Sequence, residues 1–245
     1  MTKPFLILQL RPETRAADGE YEAFLAKGGL SASDAHRIRL DQTALPKDLD
    51  LGDFAGVIVG GGPGCVSDAA DTKDPVEARI EAEILSLMPA IVDRDVPFMG
   101  CCYGIGILAH HLGAKVSKEK YGEPVGPVAC ALTSDAAEDP LTAGLQGTFN
   151  AFVGHKEAVQ VLPEGAVHLI RSDPCPFQMI RYRENVYATQ FHPEADGQVF
   201  ADRIEIYKDK GYFQPDEADA LTDACLSADV FVPEQILARF VSRYG

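Results

Sequence analysis

The chain has 245 residues, 46% of them hydrophobic, enough for one large α/β domain or such a domain with an appendage. Its net charge of −15, with no basic stretch to displace counterions, argues against a nucleic-acid partner and is read as a solubility device. No apolar run reaches the roughly 18 residues of a membrane span, and Met1-Thr2-Lys3-Pro4 lacks a signal peptide's layout; six cysteines without metal spacing fit a reducing, cytoplasmic setting.

Residues 5–10 read as a first strand, apolar enough to be buried on both faces, and a helical stretch follows from about Glu20 to Lys27. Residues 36–40 and 56–59 read as the second and third strands. Val76, Ile80, Ile84 and Leu87 recur with helical spacing over 76–88. Ile91-Val92 and then Val96-Pro97-Phe98-Met99 make a short buried-strand pattern, and Ile105, Leu108, Ala109 and Leu112 predict an amphipathic helix that Gly113 closes. Strands separated by helices of this length imply βαβ units and a mainly parallel sheet.

From about 115 to 190 the apolar segments shorten, at 125–128, 151–153, 167–170, 178–180 and 186–191, and predict antiparallel hairpins added to the sheet. The last forty residues predict two helices, of which 235–244 is the clearer. The predicted fold is therefore α/β: an open, mainly parallel twisted sheet flanked by helices (flavodoxin-like), with added antiparallel strands. Residues 1–205 form the main domain, and 206–245 a helical C-terminal extension packed on it.

The segment Gly100-Cys101-Cys102-Tyr103-Gly104 lies between a predicted strand and a predicted helix. A sharp strand-to-helix turn with glycines on both sides of a nucleophile is a nucleophile elbow. Cys102 is the central residue, and the positive end of the following helix favours its thiolate. Cys101 faces the opposite way in a tight turn and reads as buried filler.

A cysteine nucleophile needs a base, an orienter for that base, and donors for an oxyanion. His110 and His111 sit on the elbow helix as solvated or helix-terminal cations, and neither His36 nor His168 has a catalytic context. His192 ends a strand and is followed by Pro193 and Glu194. Taken alone it reads as a strand-terminal histidine beside a surface glutamate. Beside Cys102 it reads as the base, with Glu194 setting its tautomer. The run Gly60-Gly61-Gly62-Pro63-Gly64 follows the third strand. It lacks the Lys-Ser/Thr of a phosphate loop, and its glycines are too bunched for a dinucleotide fingerprint. It is either a tight turn or a source of backbone donors, with the N–H groups of Gly62 and Tyr103 forming a two-donor oxyanion hole.

These segments resemble the triad type of class I glutamine amidotransferases. The likeness rests on residues 57–63, on 97–104 and on Gln190-Phe191-His192-Pro193-Glu194, and is closest to the amidotransferase domain of GMP synthase through Cys102-Tyr103-Gly104 and through Gly154-His155-Lys156-Glu157 followed by Leu162-Pro163-Glu164-Gly165. The resemblance covers about residues 5–200. It implies that Cys102 attacks a glutamine side-chain amide, that His192 shuttles protons and that Glu194 orients it, with no cofactor and no metal. It further implies substrate-contacting roles for Gly61, Gly106, Tyr121 and His155. Gly106 departs from the family, where a glutamine commonly stands at that position, and a glycine inside a helix, about 1 kcal/mol worse than alanine, calls for a close-approach reason. His155 falls near the rim of the site, where a structural or partner-facing role is the plainer reading.

Nothing after residue 200 has a synthase's pyrophosphate loop. Three readings follow: the glutaminase subunit of a synthase whose ammonia-accepting subunit is a separate chain, a free-standing amidotransferase-like enzyme, or a hydrolase of γ-glutamyl peptides. The substrate is glutamine or a γ-glutamyl compound in each. A non-catalytic binding module on the same scaffold ranks below all three.

Overall fold

The computed structural model describes residues 3–245, so the expectation for Met1 and Thr2 lies outside it. In chain order the strands are β1 (Phe5–Gln9), β2 (Ala35–Arg39), β3 (Gly56–Val59), β4 (Phe98–Cys101), β5 (Val116–Ser117), β6 (Glu123–Leu132), β7 (Thr148–His155), β8 (Ala158–Val159), β9 (Ala166–Ser172), β10 (Met179–Tyr182) and β11 (Val186–Thr189). The helices are α1 (Thr14–Gly28), α2 (Pro75–Asp93), α3 (Tyr103–His111), α4 (Gly197–Tyr207), α5 (Ala218–Ser227) and α6 (Val232–Tyr244).

Nine strands form one sheet in the order β2-β1-β3-β4-β11-β10-β9-β6-β7. The first five pair in parallel, and each strand after β11 pairs antiparallel with its neighbour. β1, β3, β4 and β11 are buried along their whole length, as expected of parallel strands covered on both faces. Alternation then sends successive side chains to opposite layers. Leu6, Leu8, Val57, Val59 and Phe98 pack with Ile84, Met88 and Ile105 of α2 and α3. Phe5, Ile7, Ile58, Met99 and Cys101 pack on the other face with Phe24 of α1 and Ile236, Leu237 and Phe240 of α6.

Three expectations are corrected. Ile91 and Val92 belong to α2, because with Ile84 and Met88 they continue one buried helical face. β11 stops at Thr189, so Phe191 and His192 lie beyond the strand, where Thr189 Oγ1 donates to the Phe191 carbonyl at 2.8 Å. α3 is buried from Tyr103 to Ala109 on every side, since it is wedged between the sheet and the β5–β8 pair.

α4 was not expected as a separate element, and it runs through residue 205. Asp196 caps it by accepting from the Val199 N–H at 3.0 Å, and Phe200, Ile204 and Tyr207 form its buried stripe. α4 and α5 enclose a third small core at the site's edge, with Phe152 of β7 stacked on Phe200 at 4.8 Å between ring centroids.

β3, β4 and β11 are adjacent, and their C-terminal ends coincide: Thr189 pairs with Cys101 and Val59 with Gly100. The glycine run, Cys102 and the loop carrying His192 therefore leave the sheet side by side. That edge, beyond the carboxyl ends of parallel strands, is where open α/β sheets place their ligands.

Candidate active site

Cys102 has φ 54° and ψ −93°, a conformation that costs a non-glycine residue of order 1–3 kcal/mol. It is held there because its N–H is tied to the Thr189 carbonyl at 2.7 Å while Ile105 N–H already bonds back to its own carbonyl at 3.2 Å. Of the flanking glycines, only Gly100 is sterically required. A Cβ there would lie 2.9 Å from the Gly104 carbonyl carbon, whereas a Cβ on Gly104 would meet nothing nearer than 3.7 Å. Cys101 is fully buried against Ile58 and Met99. Cys102 lines two clefts.

His192 is 3% exposed. Its Nδ1 lies 2.9 Å from Glu194 Oε1, and the same oxygen accepts from Arg203 Nη2 at 2.8 Å. Burial would raise the Glu194 pKa, but His192 and Arg203 outweigh it and hold the carboxyl below the usual range. An ionised carboxylate can only accept, so Nδ1 carries the proton. Burial also lowers the His192 pKa, offset only in part by Glu194, which leaves Nε2 unprotonated. Phe200 holds the ring edge-on at 5.5 Å between centroids. The Cys102 thiol is pushed up to about 12 by burial, while the Arg11 guanidinium pulls it down. Both shifts favour the neutral forms of a thiol and an imidazole that line the same cleft.

Behind the pair stands a charge-balanced cluster of Arg11, Arg203, Glu20 and Glu194. Glu20 is fully buried; its Oε2 accepts from Arg11 Nε at 2.8 Å and from the Gly61 N–H at 3.3 Å. Arg203 Nη2 lies 3.6 Å from the same oxygen. A Cβ on Gly61 would fall 2.7 Å from both Arg11 Nη2 and His192 Cε1, so only glycine lets the loop pass. Gly61 lines neither cleft. Gly62 lines both, and Tyr103 joins it in the first. The Tyr103 N–H opens α3, where the first amides have no intrahelical acceptor. The Tyr103 hydroxyl is engaged elsewhere, donating to Glu81 Oε2 at 2.7 Å.

The first cleft encloses about 400 Å³ of non-atom space, open solvent included, and takes in Cys65, Gly106, Lys156, Glu157 and Gln190. The Glu157 carboxylate accepts from the N–H groups of Val66 and Ser67 at 2.8 and 2.9 Å and from Ser67 Oγ at 2.7 Å. A Cβ on Gly106 would be 3.1 Å from Glu157 Oε1. That is the close approach the glycine serves: an acidic side chain from beyond β7 occupies the space over α3. His155 borders this cleft with its ring tied down, Nδ1 donating to the Glu157 carbonyl at 2.8 Å and Nε2 facing Glu123 Oε2 at 2.7 Å. Tyr121 has φ 70° in the turn before β6 and lines neither cleft.

The class-I glutamine amidotransferase model matches residues 29–206. The chain belongs to that family. Among curated relatives, GMP synthase (glutamine-hydrolyzing) of Thermosipho melanesiensis is 34% identical over 115 residues, 46% of this chain and 21% of the relative. That of Thermosipho africanus is 30% identical over 154 residues, 61% and 26%. The chain thus spans about a quarter of the length of these relatives. A glutamine amidotransferase structure from Thermotoga maritima superposes with a TM-score of 0.76 at 20% identity, covering 100% of this chain and 99% of that one. One from Methylobacillus flagellatus gives 0.72 at 21%, covering 100% and 96%. At those identities the superpositions establish the fold alone.

Sequence reasoning placed Glu157 in the segment 154–157 without giving it a role, and it missed Arg11, Glu20, Phe200 and Arg203. They sit in no motif and meet only through the fold, Arg11 and Tyr207 being 196 positions apart when they bond at 3.3 Å. Phe200 had a signal, since Asp196 and the spacing of Phe200, Ile204 and Tyr207 mark a capped amphipathic helix.

Proposed function

We propose that the chain hydrolyses a γ-glutamyl amide, with the glutamine side chain as its simplest form, by acyl transfer to Cys102. The observation that carries this reading is the His192–Glu194–Arg203 arrangement, which fixes a neutral, Nε2-basic imidazole on the strand-end loop beside the cysteine turn. In the reaction His192 Nε2 takes the thiol proton as Sγ bonds the amide carbon. The resulting oxyanion is held by the N–H groups of Gly62 and Tyr103. The C–N bond then breaks, His192 returns the proton to the leaving nitrogen, and ammonia departs from a γ-glutamyl thioester. Water, deprotonated by His192, releases glutamate and restores the thiol.

Ammonia made this way would serve a synthase, a reading supported by the GMP synthase relatives, whose chains are about four to five times the matched length. The family, the strand-edge position and the backbone strain at Cys102 all agree with the nucleophile's role. Hydrolysis of γ-glutamyl peptides is the second reading, favoured by the cleft on the His192 side of Cys102. Glutamate release from glutamine or a γ-glutamyl amide tests the proposal. Cys102→Ala should lower the rate by about a thousandfold or more with the fold intact; a variant as active as the native chain contradicts it.

A further inference from the structure

Cys102 stands at the junction of two clefts, which share Gly62, Gly154 and Tyr212. The first holds Tyr103, whose N–H opens α3, together with the charged Lys156 and Glu157. It suits an acyl group with a zwitterionic end. The second, about 440 Å³ with open solvent included, holds His192. In acyl transfer the leaving nitrogen must face the imidazole that protonates it, so the second cleft lies on the leaving-group side. Ammonia fills no such space.

The walls of that cleft are specific. Val125, Phe200, Tyr207 and Phe213 give it an apolar and largely aromatic lining, and Arg11 and Arg203 add two buried guanidinium groups, of which Arg203 Nε and Nη1 have no partner among the described residues. Arg11 Nε donates to Glu20 and Nη1 to Tyr207, and Nη2 has no acceptor among the described residues. Arg11 Nη2 and His192 Cε1 each lie 2.7 Å from the place a Cβ on Gly61 would take, so they stand within twice that distance of one another. In a γ-glutamyl α-amino acid the carboxylate carbon is two bonds from the scissile nitrogen. A nitrogen at His192 Nε2 therefore brings that carboxylate within reach of Arg11 for a charge-assisted hydrogen bond.

We propose that the second cleft is a leaving-group subsite for an α-amino acid with an apolar side chain, making the chain a hydrolase of γ-glutamyl dipeptides of that type. The inference rests on acyl transfer at Cys102. In the step it describes, Cys102 Sγ bonds the γ-carbonyl carbon and the isopeptide C–N bond breaks. The thiol proton passes through His192 to the departing α-amino nitrogen, and water then cleaves the thioester to glutamate.

The test compares three substrates on the intact chain: γ-L-glutamyl-L-phenylalanine, its C-terminal amide, and glutamine. The dipeptide should exceed both others in kcat/KM by tenfold or more, and Arg11→Gln should erase the preference for the acid over the amide. Equal rates for acid and amide, or glutamine as the best substrate, overturn the subsite whatever the variant does. Reaction of the chain with a diazo-ketone analogue of glutamine separates the two levels. Labelling of Cys102 with a poor dipeptide rate defeats only the subsite, whereas no labelling and no hydrolysis defeats the acyl-transfer reading beneath it.

Discussion

At the scale of single residues, the state of His192 decides the pH behaviour. Burial lowers its pKa from 6.5, so with His192 as the proposed base kcat/KM should hold level through pH 6.5 and fall only in more acid solution. Unfolded His192 binds a proton near pH 6.5 that the folded chain refuses, so stability also declines as pH falls. Arg203 contributes to the lowering, and it is a positioning residue that acts through Glu194. Arg203→Met should therefore move the acid limb of kcat/KM to higher pH, read from a pH–rate profile. It should also cost about 3–5 kcal/mol of stability, because Glu194 loses its buried cation; an unmoved limb contradicts the electrostatic role. That Cys102, His192 and Glu194 gather at one sheet edge was legible in the sequence because each sits in a short local motif. Arg203 was not, since an arginine in a helix is ordinary until Glu194 and Glu20 face it.

At the scale of elements, the antiparallel strands are joined by a buried polar cluster that also fixes the rim of the first cleft. His155 Nδ1 faces a carbonyl and must donate. Its Nε2 faces Glu123 Oε2, which already accepts from Gln178 Nε2 at 2.5 Å, while Oε1 accepts from Ser172 Oγ at 3.0 Å. His155, Glu123, Ser172 and Gln178 thus form one buried hydrogen-bonded network that ties β6, β7 and β9 together. Glu123→Ala should destabilise the chain by about 2–3 kcal/mol in urea unfolding with an unchanged m-value, since it leaves the buried polar groups of Gln178 and His155 without their partner. A loss under about 1 kcal/mol would contradict the pairing. The strands themselves were legible from apolar runs of the right length. Their ends were less so: β11 stops short of Phe191 because the chain turns to place His192, and a buried loop residue is as apolar as a strand one. Gly106 was legible as an anomaly only, because Glu157 reaches it from 51 positions along the chain.

At the scale of the whole molecule, the C-terminal third both finishes the core and closes the site. Phe240 of α6 is fully buried against Phe5 and Tyr187, so Phe240→Ala should cost about 3–5 kcal/mol by chemical denaturation; a loss below about 1 kcal/mol would mark α6 as an appendage rather than a wall of the core. After α4 the chain brings Tyr212 to both clefts, with Lys156 Nζ 4.2 Å from its ring centroid. No helix among the described residues is long and apolar enough to cross a membrane. All six cysteines are buried, and only Cys65 and Cys102 line a cleft at the site. Burial pushes the Cys65 thiol up to about 11, and it lines the first cleft but not the second, which holds His192, so it serves as an internal control. The most direct measurement treats the chain with a diazo-ketone analogue of glutamine and locates the adduct by peptide mass spectrometry. One adduct per chain on Cys102, abolished by His192→Ala with the fold retained, is the predicted result. Modification of Cys65 in its place, or labelling of Cys102 that ignores the loss of His192, would contradict a nucleophile activated by that histidine.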